Sequence, residues 1–178
     1  MLEQKIFDDT KTAFSLKSDS ELERAYFLFK MISLQPLVKI GTAVTRFALN
    51  ASLPVEGLVR ATVFDHFCGG VSEKDCVSTI DAMYSKNVHS VLDFSVEGKE
   101  TESLFDSALE RVMSLIDFAK DRPGMPFSVF KPTGFGRFEV WRKVTENETL
   151  SDKEQQEWKR IQERFHKVCK KAKACDIK

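Results

Sequence analysis

Pro126-Phe127-Ser128-Val129-Phe130-Lys131-Pro132-Thr133-Gly134-Phe135-Gly136-Arg137 is the stretch on which the reading of the fold turns. An apolar run, Phe127 to Phe130, is closed by Lys131 and followed at once by a Pro-Thr-Gly-Phe-Gly loop. A run of this length bounded by turn residues predicts a strand buried on both faces, as in a parallel sheet. Lysine suits such a core only where its ammonium meets a negative partner. The C-terminal strand ends of parallel α/β folds line their active sites, so Lys131 is placed to hold an anionic substrate. The competing reading is a lysine whose stem covers the strand end while its ammonium reaches solvent.

Upstream, the run Val88 to Val96, V-H-S-V-L-D-F-S-V, predicts a second strand, with Asp93 inside it and Glu97-Gly98 just beyond. Between the two strands, residues 101–120 carry Phe105, Ala108, Val112, Ile116 and Ala119 at helical spacing. Strand, helix and strand in that order make a βαβ unit with a right-handed crossover. Asp93, Glu97 and Lys131 then gather at one rim of the sheet. A solvated loop acid remains the alternative for Glu97, and a structural hydrogen-bonding role the alternative for Asp93.

The flanks of this unit are helical. Ser20 and Glu23 fit a capping box that opens a helix running through Phe29 towards Pro36. A second helix covers Leu37 to Leu49. A third starts at Pro54 and ends at Cys68-Gly69-Gly70, where a glycine can take a left-handed cap. Ser72 caps a helix that closes near Asn87, and residues 136–144 form a short helical turn. Ser151 and Glu154 make another capping box, opening a long helix with Trp158, Ile161, Phe165, Val168 and Ala172 on one face. The division expected is a helical arm over residues 1–70 and an α/β portion over residues 71–178.

Composition narrows the function classes. At 42% hydrophobic and 30% charged the chain has the make-up of a globular protein rather than a disordered one. Lys+Arg and Asp+Glu stand at 27 each, so no net field favours nucleic acid or acidic lipid. Cys68, Cys76, Cys169 and Cys175 match no metal-finger spacing, and reduced thiols in a cytosolic compartment are the expectation. The first ten residues lack the apolar core of a secretory signal, and no apolar run approaches the ~18 residues of a membrane span. No metal site is expected. Gly134-Phe135-Gly136 lacks the rest of a nucleotide fingerprint.

Taken together, F-C-G-G-V-S-E-K-D-C (67–76), V-H-S-V-L-D-F-S-V-E-G-K-E (88–100) and P-F-S-V-F-K-P-T-G-F-G-R-F (126–138) resemble proline dehydrogenase, in particular its single-function Bacteroidetes-type form. L-V-K-I-G-T (37–42) and L-P-V-E-G-L-V-R-A-T-V-F (53–64) are similar to the same family's N-terminal helices. The resemblance implies a flavoenzyme that oxidises L-proline to Δ1-pyrroline-5-carboxylate on a distorted (β/α)8 barrel, with FAD passing electrons to a membrane quinone. It implies a cytoplasmic protein, or one peripheral to the inner membrane. It makes residues 88–95 the first barrel strand and residues 127–130 the second. Lys131 then matches a lysine that helps hold the proline carboxylate. Glu97 matches an acid that pairs with a substrate-binding arginine, and Asp93 an acidic position near the proline pocket. A full barrel needs ~250 residues, so the barrel expected here is incomplete: a helical arm and the first βα units. The alternative is a non-catalytic, helix-rich binding or scaffolding module derived from such a barrel.

Overall fold

The structure is a computed structural model, and it describes residues 8–93 and 101–178. Two compact units divide at Cys76/Val77.

In the first unit a short turn of helix, α1 (Thr10–Ala13), precedes α2 (Asp19–Ile32) and α3 (Gln35–Asn50). The capping box of α2 lies two residues before the expected one. Ser18 is the N-cap, its hydroxyl accepts from the Glu21 N–H, and the Glu21 carboxylate accepts from the Ser18 N–H at 2.8 Å. Both registers place a serine three residues before a glutamate, and the pattern alone does not separate them. Pro36 stands in the first turn of α3, where its missing N–H costs nothing. The third helix is composite: α4 (Glu56–Val59), a π turn over Arg60–Phe64, then α5 (Asp65–Phe67). It begins after Pro54 rather than on it. It ends because Cys68 turns extended (φ −119°, ψ 138°), not through a left-handed glycine.

The second unit holds the core. Its helices are α6 (Val77–Tyr84), α7 (Glu102–Ala119), α8 (Phe138–Thr145) and α9 (Asp152–Ala174). From α7, Phe105, Leu109, Val112, Leu115, Ile116 and Ala119 are buried, and α9 contributes Ile161 and Val168. Fully burying side chains of this size stabilises by about 1.5–3 kcal/mol each, before entropy is counted. The Ser151–Glu154 capping box opens α9 as expected.

The strands are the main correction. Among the described residues there is no assigned strand, and the residues at 88–93 and 126–131 run irregularly. Backbone hydrogen bonding gives a physical reason. The Ser90 N–H donates to the Gly124 carbonyl at 2.8 Å, which is half of a parallel bridge. One way to complete it needs the N–H of residue 126, a proline, which has none, and the other, from the Gly124 N–H to the Val88 carbonyl, is not made. Further on, the Lys178 N–H donates to Pro126 O (3.0 Å) and the Ser128 N–H donates to Lys178 O (2.8 Å). That pair of bonds has the pattern of a parallel bridge between Phe127 and Lys178. One bridge does not make a ladder, so among the described residues the second unit is helical, and residues 94–96 of the expected first strand lie outside them.

Candidate functional site

The loop after Phe130 is held from several sides. Lys131 is exposed and extended (φ −92°, ψ 128°), and it precedes a 3-10 turn over Pro132–Gly134. Its carbonyl accepts from the Gly134 N–H at 2.8 Å, and Pro132 O accepts from the Phe135 N–H at 3.0 Å. Phe135 is buried and stacks on Phe130, ring centroids 4.9 Å apart, while Phe165 meets Phe130 edge-on at 5.0 Å. Gly136 is buried against Ile161, so closely that a Cβ there would overlap the isoleucine side chain. Only glycine permits that approach.

Two arginines complete the clamp. Arg137 donates from Nε to Glu157 Oε1 at 3.0 Å and from Nη2 to Glu157 Oε2 at 2.7 Å, although Glu157 is almost wholly buried. Arg164, also buried, donates to the Phe135 carbonyl at 3.0 Å and to Asp106 at 2.9 Å, and pairs with Glu102. Arg160 reaches the same Glu102 at 2.9 Å. Burial pushes the Glu102 carboxyl up, but hydrogen bonds from Arg160 and Arg164 outweigh it and leave the group below its ordinary value. Charges this deep persist only when paired, and here the pairing fixes Phe135 and Arg137 relative to α7 and α9. The backbone carrying Lys131 is thereby pre-positioned, with its ammonium stem at the surface.

Of the residues expected at the site, Lys131 is exposed at the start of this clamped loop. Asp93 is exposed three residues beyond Ser90, whose N–H is tied to Gly124. Glu97 lies outside the described residues. Sequence reasoning missed Glu157 and Arg164. Both fall on the buried stripe of α9 with Ile161 and Val168, and polar residues on an apolar stripe were the available signal.

A groove of about 340 Å³ also opens beside the loop's supports, lined by Trp141, Trp158, Ile161, Gln162, Phe165, His166 and Cys169. The described residues do not fit a flavin dinucleotide. This groove is aromatic and apolar, and Arg137, Arg160 and Arg164 are engaged by carboxylates rather than presented to a diphosphate.

The chain is similar to a carbapenem antibiotics biosynthesis protein, CarD, of Pectobacterium carotovorum subsp. carotovorum: 29% identical over 113 residues, 64% of this chain and 30% of the relative. It is similar to mitochondrial proline dehydrogenase 1 of Caenorhabditis elegans, 32% identical over 98 residues, 53% of this chain and 16% of the relative. The corresponding protein of Arabidopsis thaliana is 27% identical over 145 residues, 78% of this chain and 29% of the relative. The chain thus spans less than a third of the length of each of these curated relatives. No family model and no solved structure matches it.

Proposed function

We propose that these residues form the substrate-side opening portion of an FAD-dependent proline dehydrogenase, acting in proline catabolism. In such an enzyme L-proline would be oxidised to Δ1-pyrroline-5-carboxylate, with FAD supplying the redox chemistry when bound and a membrane quinone as the electron acceptor. The observation that carries this reading is the similarity to relatives named proline dehydrogenase across 53–78% of the chain. No step of the flavin chemistry is assigned to this chain's residues. Their part is to recognise the substrate.

On this reading the Lys131 ammonium pairs with the proline carboxylate. A charge-assisted hydrogen bond of that type contributes about 1.5–3 kcal/mol. The clamped Pro132–Gly136 turn holds the lysine backbone before substrate arrives, which lowers the ordering cost of binding. On the same reading Glu97 is a substrate-side acid, as Lys131 is the substrate-side cation, at one rim of the barrel. Asp93 belongs to the same rim. The two units would then be a helical arm and the opening of the barrel.

A second reading, a non-catalytic helical binding module, is favoured by the absence of assigned strands among the described residues. One experiment separates the two. The 178-residue chain and the complete polypeptide that carries it are supplied with FAD, desalted, and given L-proline with an artificial electron-accepting dye. We expect flavin retention and dye reduction from the complete polypeptide, and neither at stoichiometric level from the 178 residues alone. A complete polypeptide with no proline-dependent reduction would overturn the enzymatic reading. Turnover by the 178 residues alone would overturn the assignment of the cofactor site to other residues.

A further inference from the structure

We infer that Arg164 is a positioning residue for substrate binding, acting through the loop that carries Lys131. Its guanidinium is buried and engaged at each of its three nitrogens. Nε donates to Asp106 at 2.9 Å, and Nη1 donates to the Phe135 carbonyl at 3.0 Å. Nη2 meets Glu102 and, at 2.8 Å, Asp106. The Phe105 ring centroid lies 5.6 Å from Cζ. Glu102 and Asp106 stand four residues apart on one face of α7. Together they hold the planar fork in one orientation and leave an N–H directed at the loop.

The carbonyl that Arg164 reaches ends a short rigid link to Lys131. Lys131 O accepts from the Gly134 N–H and Pro132 O accepts from the Phe135 N–H, so Lys131 to Phe135 form two overlapping turns. Phe130, on the other side of the lysine, stacks on Phe135 at 4.9 Å. Fixing Phe135 therefore fixes both flanks of Lys131. An aliphatic side chain would fill the space of Arg164 without the cost of burying a charge, but it could not hold the Phe135 carbonyl. The inference rests on the proposed contact between Lys131 and the proline carboxylate. A displacement of about 1 Å is enough to weaken such a contact severely. A purely structural Arg164 is the competing account, and the two differ in how Arg164 depends on Lys131.

The test is a double-mutant cycle in KM and kcat for L-proline, on the complete polypeptide, with Arg164→Lys, Lys131→Ala and the two combined. Lysine keeps the charge beside Glu102 and Asp106 but lacks the planar fork that serves both carboxylates and the carbonyl. Arg164→Lys should raise KM about tenfold with kcat nearly unchanged. Once Lys131 is already alanine, the same change should alter KM by less than about twofold. Asp106→Asn alters an exposed carboxylate and leaves Glu102 to pair the buried charge. It should raise KM by about threefold with the same dependence on Lys131, and it carries the test if Arg164→Lys does not fold. An equal rise in KM with and without Lys131 would overturn the inference, as would an unchanged KM in a folded Arg164→Lys protein. Those results, alongside a KM raised by Lys131→Ala, remove the role of Arg164 alone. A KM unchanged by Lys131→Ala removes the reading of Lys131 and this inference with it.

Discussion

Arg137 and Glu157, twenty residues apart in sequence, form a two-point ion pair that closes the loop after Lys131 onto α9, with the carboxylate almost wholly buried and the guanidinium about one third exposed. The shortest contact is 2.7 Å. A lone buried carboxylate is costly, so removing the arginine leaves a larger penalty than removing both partners.

Arg137→Ala should therefore destabilise the fold by about 2–3 kcal/mol. Adding Glu157→Leu to it should recover a good part of that loss. Urea unfolding of the two single variants and the double variant checks this through the coupling energy. Additive effects would mean that the pair does not act as a unit.

Gly136→Ala should be destabilising by roughly 1–3 kcal/mol, because the new methyl overlaps Ile161 in a packed interior. Combining it with Ile161→Ala makes room for the methyl. The double variant should be less destabilised than the two single losses added together. Thermal unfolding of the four proteins measures it.

The Lys143 ammonium, followed by the Ser151 N–H and hydroxyl, holds the Glu154 carboxyl down to about 2, against 4.5 for the ordinary group. A folded value below the unfolded one means that the stabilisation is fully present above about 4.5 and is lost as pH falls towards 2. Helicity followed by circular dichroism should drop across that window. Glu154→Gln should be less stable at neutral pH and show a shallower acid limb. An unchanged acid limb would remove Glu154 from the account.

The sequence made the helices legible where side-chain periodicity and caps agree. Residues 101–120 showed the α7 face, and Ser151 with Glu154 marked the start of α9. The α2 cap slipped by two residues because Ser18-Glu21 and Ser20-Glu23 present the same spacing. The strands were not legible in the same way. A strand exists through its neighbour, and Pro126 removes one of the two donors that could complete the contact Ser90 begins. Composition could place Lys131 at the end of an apolar run. It could not show Arg164 reaching the Phe135 carbonyl across twenty-nine residues, since that contact is made by tertiary packing alone.

The measurement that tests the account most directly is the steady-state kinetics of L-proline oxidation by the complete polypeptide carrying Lys131→Ala. Loss of a charge-assisted contact to the carboxylate, about 1.5–3 kcal/mol, predicts a KM raised roughly 10- to 150-fold with a smaller change in kcat. Lys131→Arg should recover part of the loss, because a cation is restored with different geometry. A KM and kcat unchanged by Lys131→Ala would contradict the claim that this loop holds the substrate.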